Sequence, residues 1–495
     1  MSERNKQFVA PLLPRNQDEA ELDKYDGASF HASVFNLSCT IAGAGIMSLP
    51  ATLKLLGLVP GVALILCAAF LTEASIEMLL RFSKPGSAFS YGDVMGDAFG
   101  VMGKMLLQTT IVINNIGGVI LYLIIIGRGH EAPRPSDLPL EPTLWVFLLL
   151  LFCLSSTIVR LGLLLIKTVD NSVTSGVVFI MCQSEDLLSG ATSSGVHHEG
   201  VLEEWFGEHW WTGRAFVLIV LTVTVFIPLM CLKRIESLRH TSAISIALAV
   251  VFLLVVIGIT AYKLAKGSIE TPRWFPIVTD LTAFCNLFTA VPPVVCAYVC
   301  HFNVHTIENE LEKPSRMQVV VRTSLALCAV VYLMTGSFGF LLFGDSTLPD
   351  VLSNFDSNLG IPFGTLINDI VRVSYACHIV LIFPIIFYPL RLNLDGLLFP
   401  SARPLASDNL RFALISAGLT VIVLLGAIFI PNIWVAFQFS GATVGVLLGF
   451  IFPASITLKD SHGIATKTDK SLSIFMIILA VFTNVVAIYS NANSL

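Results

Sequence analysis

Long apolar runs, each near the roughly 20 residues a helix needs to cross a bilayer, alternate along this chain with short polar stretches. The runs predict helices over about 30–55, 59–80, 104–127, 143–166, 214–232, 242–262, 283–309, 318–343, 363–388, 411–431, 435–457 and 471–490. Two of them are interrupted. The first contains NLSCTIAGAGIMSLP, 36–50, with Gly43, Gly45 and Pro50 inside an apolar segment. Glycine permits backbone angles that other residues avoid, and proline removes a helix hydrogen bond. The run LFTAVPPVVCAYVCHFNVHTIENEL, 287–311, places Pro292 and Pro293 before a polar end carrying His301, Asn303 and His305. Broken backbone at membrane depth is tolerated where it is buried in protein or lines a cavity. The bland alternative is that the glycines only let helices pack closely.

Basic residues, which favour the cytosolic side, test the count. With 143–166 left out, the tail (Arg4, Lys6, Arg15, Lys24) and the loops carrying Arg81 and Lys84, Lys233 and Arg234, Lys313 and Arg316, Arg391 and Arg403, and Lys459 and Lys467 share the cytosolic side. The acidic loop 185–213 and the stretch 344–362 fall opposite, and only Lys263, Lys266 and Arg273 break the rule. Adding 143–166 as a span inverts every later loop. The pattern predicts eleven spans and marks 128–184 as anomalous.

Counted without that segment, each half of five spans opens with an interrupted helix, the sequence signature of an inverted-repeat transporter. The half-helix beginning near Ile46 offers free N–H groups to a carboxylate, and the unwound carbonyls suit an ammonium or a cation.

Composition agrees: 55% of the 495 residues are hydrophobic and 13% charged, about half the charged share of a soluble protein. A net charge of −5 without a basic patch gives no sign of nucleic acid. The ten cysteines show neither a disulfide framework nor metal-ligand spacing. No nucleophile–base constellation or nucleotide-binding loop suggests an enzyme or a cofactor, and no obligate protein partner is evident. Residues 1–29 are polar and mixed in charge, without a signal-peptide pattern, and are expected to be a disordered cytosolic tail before a transmembrane domain at 30–490.

SVFNLSCTIAGAGIMSLPATL and AYVCHFNVHTIENEL resemble the first and sixth spans of the amino acid/auxin permease family. VVRTSLALC, FGFLLFGDSTLPDVLSNF, RLNLDGLLFPSARPL and AFQFSGATVGVLLGFIFPASITLKD are closer to its plant vacuolar-type amino acid transporters. The resemblance covers 30–127 and 185–490. It implies an all-α polytopic membrane protein of leucine-transporter type, with a 5+5 inverted repeat plus one helix, moving neutral amino acids by alternating access across a vacuolar or other endomembrane. Sodium-coupled relatives carry an asparagine where this chain has Cys39 and a threonine where it has Ile382. Neither replacement side chain offers the hard oxygen that sodium prefers, which favours proton-coupled symport or sodium-independent exchange over sodium symport. A channel or a nutrient-sensing receptor is the alternative of another class. Relatives run from YLIIIG directly into a D-x-LSG loop. Gly127-Arg128 and Cys182-Gln183 can be encoded with intron-like donor and acceptor ends, so 128–184 is expected to be a retained intron; a genuine splice form is the other reading.

The expected substrate site combines Thr40, Gly43, Ala44, Gly45 and Ile46 of the first span with Asn114 of the third and Tyr298, Cys300 and Asn303 of the sixth. His301, His378 and Glu73 are the candidate proton carriers. Histidine titrates near physiological pH, but a lone buried histidine is often only hydrogen-bonded, and Glu73 can snorkel to the interface. Asp369 and Arg372, three apart on one helix, read as a structural pair or a gate. Metal binding by His197, His198 and His209 is not favoured.

Overall fold

A computed structural model of the chain describes residues 27–126, 191–193, 196–198, 205–207, 209–211, 214–269, 271–356, 359–429 and 444–493. Most of the expected tail and nearly all of 128–184, including 143–166, lie outside them. Eight helices are long and apolar enough to cross a membrane, and the bent pair Phe30–Ile41 and Ala44–Leu56 makes nine. The shorter apolar helices Phe216–Met230 and Leu447–Lys459 bring the series to the expected eleven. The spanning body is all helical; a short antiparallel hairpin pairs Ala191–Ser193 with Val196–His198.

The spans form layers. The eighth (Gly364–Leu398) and third (Tyr91–Leu123) are the most enclosed, with 72% and 67% of their apolar windows buried, and they pack on one another. The ninth (Asn409–Gly426) and eleventh (Lys467–Ala487) are peripheral, at 22% and 28%. Their outward residues, such as Leu414, Ile478 and Val485, are exposed apolar groups, as a lipid-facing surface requires. The first span packs between the fifth (Glu236–Ala265) and the seventh (Pro314–Ser346).

Local chemistry sets the helix ends. Ser29 caps Phe30–Ile41 by accepting from the Ala32 amide at 3.3 Å. The tail boundary therefore moves: Gly27–Ser29 are ordered, and Ala28 bridges to Leu311 beyond the sixth span, with its amide 2.6 Å from the Glu310 carbonyl. Pro50 lies in the first turn of Leu49–Leu56, where no amide is needed. In the loop after the tenth span, Lys470 and the amides of Ala465 and Ile464 hold the Asp460 carboxyl below the usual carboxylate range.

The sixth span (Leu281–Glu310) corrects one expectation. Pro292 and Pro293 do not interrupt it, because they sit at the start of the helix Val291–Tyr298. The break comes at Val299 and Cys300, after which His301–Glu310 resumes.

Candidate functional site at two broken helices

The first span unwinds at Ala42 and Gly43, continues as a 3-10 turn over Ala44–Ser48 and becomes α-helical again at Leu49. The second half thus begins at Ala44, slightly before the expected Ile46. The two broken spans cross here. A Cβ on Gly45 would lie 2.6 Å from Ala297 Cα, and one on Gly43 would collide with the Tyr122 hydroxyl. Glycine is needed at both points because neighbours occupy the side-chain space. At Gly45 that neighbour is the facing helix, so close helix packing operates at this position.

Three tyrosines hold the unwound backbone. The Tyr332 hydroxyl lies 2.6 Å from the Ile41 carbonyl and 2.7 Å from the Ala297 carbonyl, so one phenol bridges both broken spans. Tyr375 donates to the Gly43 carbonyl at 3.1 Å. Tyr122 stands against Gly43 from the third span. Asn303 completes the frame, donating to Thr40 Oγ1 and to the Ile385 carbonyl, each at 3.0 Å. Thr40 in turn donates to the Asn36 carbonyl at 2.9 Å.

Between these elements lies a cavity of about 50 Å³ lined by Thr40, Gly43, Ala44, Gly45, Asn114 and Tyr122, with Cys296, Val299 and Phe302 closing one side. Of the expected substrate residues, Thr40, Gly43, Ala44, Gly45 and Asn114 meet at this cavity, and Asn303 braces its wall. Ile46, Tyr298 and Cys300 are buried but do not line it. The side chain of Tyr298 packs edge-on against Tyr332 instead. Carboxyl ends of two half-helices and amino ends of two others converge here. Their dipoles supply partial negative and positive charge side by side, a pattern suited to a zwitterion.

The proton candidates separate. His301 Nε2 is 2.7 Å from Ser75 Oγ on the second span (Leu58–Ser83), and its ring lies beside Gly449 of the tenth. It does not line the central cavity. Glu73 is an exposed carboxylate 2.7 Å from Arg322, which also reaches Glu77, so it forms a surface ion pair between spans. Arg81, beside which it was expected to snorkel, pairs with Asp469. His378 lies at the first-span break. Its Nδ1 is 2.7 Å from the Ser245 carbonyl and 2.9 Å from Ser245 Oγ, which fixes the proton of the neutral ring on Nδ1. Its Nε2 makes no hydrogen bond, while the Ala42 carbonyl interacts with the ring. Cys39 faces Ser242 and Ser245 in the same cluster, and Tyr375 packs at 5.2 Å from the imidazole.

The expected Asp369–Arg372 relationship gives way to a longer contact: Asp369 Oδ2 accepts from Trp205 Nε1 at 2.9 Å, tying the acidic loop to the eighth span. No group of three or more potential metal ligands occurs among the described residues, and His209 stacks on Trp211. His197 and His198 contribute backbone to the hairpin.

The two ends of the pathway differ. On the acidic-loop side, Arg273 meets Asp345 at 2.6 Å and the Lys54 carbonyl at 3.1 Å, while Lys54 donates to the Thr347 carbonyl. This pair explains one of the basic residues found on the wrong side of the chain. Val351, Leu352 and Phe355 are buried in the same seal. On the basic-loop side a vestibule of about 330 Å³ reaches exposed Ala402 and Arg403. Phe302 lines both the vestibule and the central cavity.

The sequence pattern described as "Transmembrane amino acid transporter protein" matches residues 26–160 and 181–495, and its interruption falls inside the anomalous segment. The chain is 53% identical to amino acid transporter AVT6A of Arabidopsis thaliana over 99% of its own length and 94% of the relative's. It is 52% identical to AVT6B of the same plant, over 98% and 95%, and 38% identical to AVT6D, over 97% and 96%. The chain belongs to the transmembrane amino acid transporter family.

Proposed function

We propose that the chain carries neutral amino acids across an endomembrane by alternating access, coupled to protons and independent of sodium. The family is one of transporters, not enzymes. The observation that carries the reading is the meeting of two broken helices around one small polar cavity. Helix amino ends there suit a carboxylate, and carbonyl ends suit an ammonium. The cavity is smaller than the roughly 300–1,000 Å³ usual for small-molecule sites, so this conformation is collapsed around an empty centre. It is sealed toward the acidic loops and vestibuled toward the basic ones, which are taken as cytosolic.

Proton coupling rests on His378. Its Nδ1–H is committed to Ser245, so an added proton goes to Nε2, facing the Ala42 carbonyl at the unwound turn. Protonation turns a weak contact into a charge-assisted hydrogen bond and couples the ion to the shape of the first span. The ring stands among the oxygens of Ser245 and Ala42, near Cys39, where a sodium-coupled relative would supply a ligand.

The test is counterflow of a labelled amino acid panel in proteoliposomes, using chain lacking 128–184. Exchange of neutral amino acids is expected, and no exchange of any amino acid would overturn the transport function. Imaging a fluorescent fusion against vacuolar and plasma-membrane markers tests the compartment. The insertion itself is read as a retained intron. A transcript that skips it supports that reading, and a dominant transcript that retains it contradicts it.

A further inference from the structure

The vestibule contains a polar group that its neighbours leave unsatisfied. His305 is 3% exposed, lines the vestibule, and makes no hydrogen bond through either ring nitrogen. Tyr91 stacks over it with ring centroids 6.5 Å apart, fixing the plane of the imidazole. Other polar groups on the lining are already engaged. Asp93 accepts from Lys104 at 2.7 Å. Lys233 donates to the Ala406 carbonyl and to Asn409. Glu310 accepts from the amides of Ile235 and Glu236. A neutral imidazole presents one donor and one acceptor, and leaving both unmade in a buried place costs about 1–3 kcal/mol per group. The free partner is therefore expected to come from whatever enters.

The space suits a small molecule with an apolar part. Its volume of about 330 Å³ falls within the roughly 300–1,000 Å³ of ligand pockets. Phe302 and Phe399 supply apolar lining. Phe302 also closes one side of the central cavity, so a molecule leaving that cavity toward the basic loops meets His305 next. Resting on the transport function proposed above, we propose that the vestibule is a second substrate site. It holds one free neutral amino acid on the release side, with His305 as its polar anchor. The ligand's carboxylate accepts from the imidazole N–H, its ammonium can face the other ring nitrogen or the solvent, and its side chain lies on the phenylalanines.

The experiment is equilibrium dialysis of tritiated L-leucine, and separately L-alanine, against the full chain lacking 128–184 in lipid nanodiscs, with counterflow measured on the same preparation. Two molecules per chain are expected at saturation. His305→Ala, which removes the anchor, and Thr306→Trp, which fills the space without touching the anchor, are each expected to leave one. Gly43→Leu, which fills the central cavity, is expected to leave the vestibule molecule. Binding of a single molecule that survives both vestibule variants and disappears in Gly43→Leu, with counterflow intact, would overturn the second site alone. Absence of both binding and counterflow would overturn the transport function and this site together.

Discussion

Gly45 and Ala297 touch where the first and sixth spans cross, at a separation that leaves no room for a β-carbon on residue 45. The contact joins the two elements whose relative movement must open and close the central cavity. Replacing Gly45 by alanine forces backbone apart. Overpacking of this kind costs about 1–3 kcal/mol, and Gly45→Leu costs more. Both variants are expected to insert and to lose counterflow. Ala297→Gly should restore part of the loss in Gly45→Ala, because it removes the atom that the new methyl meets. A double-mutant cycle on counterflow rate measures this coupling. Additive losses, with no rescue, would show that the contact is not the cause.

Tyr332 shares one phenolic proton between the Ile41 and Ala297 carbonyls. Tyr332→Phe keeps the ring against Tyr298 and strands both acceptors, at a cost of about 1–3 kcal/mol for a buried unsatisfied group. A lower melting temperature in detergent is expected, together with a counterflow rate reduced at saturating substrate, since the phenol orders the breaks rather than filling the cavity. An unchanged melt and unchanged rate would mean that water replaces the hydroxyl without loss.

His378 is the residue through which pH is expected to act. As pH falls on the acidic-loop side, Nε2 gains the proton that binds the Ala42 carbonyl, so apparent substrate affinity should rise. His378→Gln cannot make this change and should show uptake that is flat with pH while counterflow persists. His301→Gln should retain the full pH response, because Ser75 and the second span enclose that ring away from the cavity. The opposite result, a flat profile in His301→Gln and a normal one in His378→Gln, would move the proton to the sixth span.

Much of this arrangement was legible in the residues. Apolar run lengths gave the eleven spans, and the Gly43–Gly45 pair marked the first break. The second break was misplaced because proline signals a helix interruption only when its missing amide would have been used. Pro292 and Pro293 fall at a helix start, where it would not. Tyr122, Tyr332 and Tyr375 were passed over, since single tyrosines in apolar runs have no periodicity to mark them. Their signal is chemical: a hydroxyl buried in a span must find a partner, and unwound carbonyls are the partners at hand. Asp369 and Arg372 have the spacing of a helical pair, but spacing along one helix cannot reveal Trp205 arriving from a distant loop. Nor can it show that His301 faces the second span while His378 faces the first-span break.

The most direct measurement is uptake of a labelled neutral amino acid into proteoliposomes in choline medium, with a pH gradient imposed and then collapsed by a protonophore. Uphill accumulation is expected in choline when the side presenting the acidic loops is the more acid, falling to simple equilibration once the gradient is gone. Accumulation that requires sodium and ignores the pH gradient would contradict proton coupling through His378 and return the ion to the region of Cys39 and Ile382.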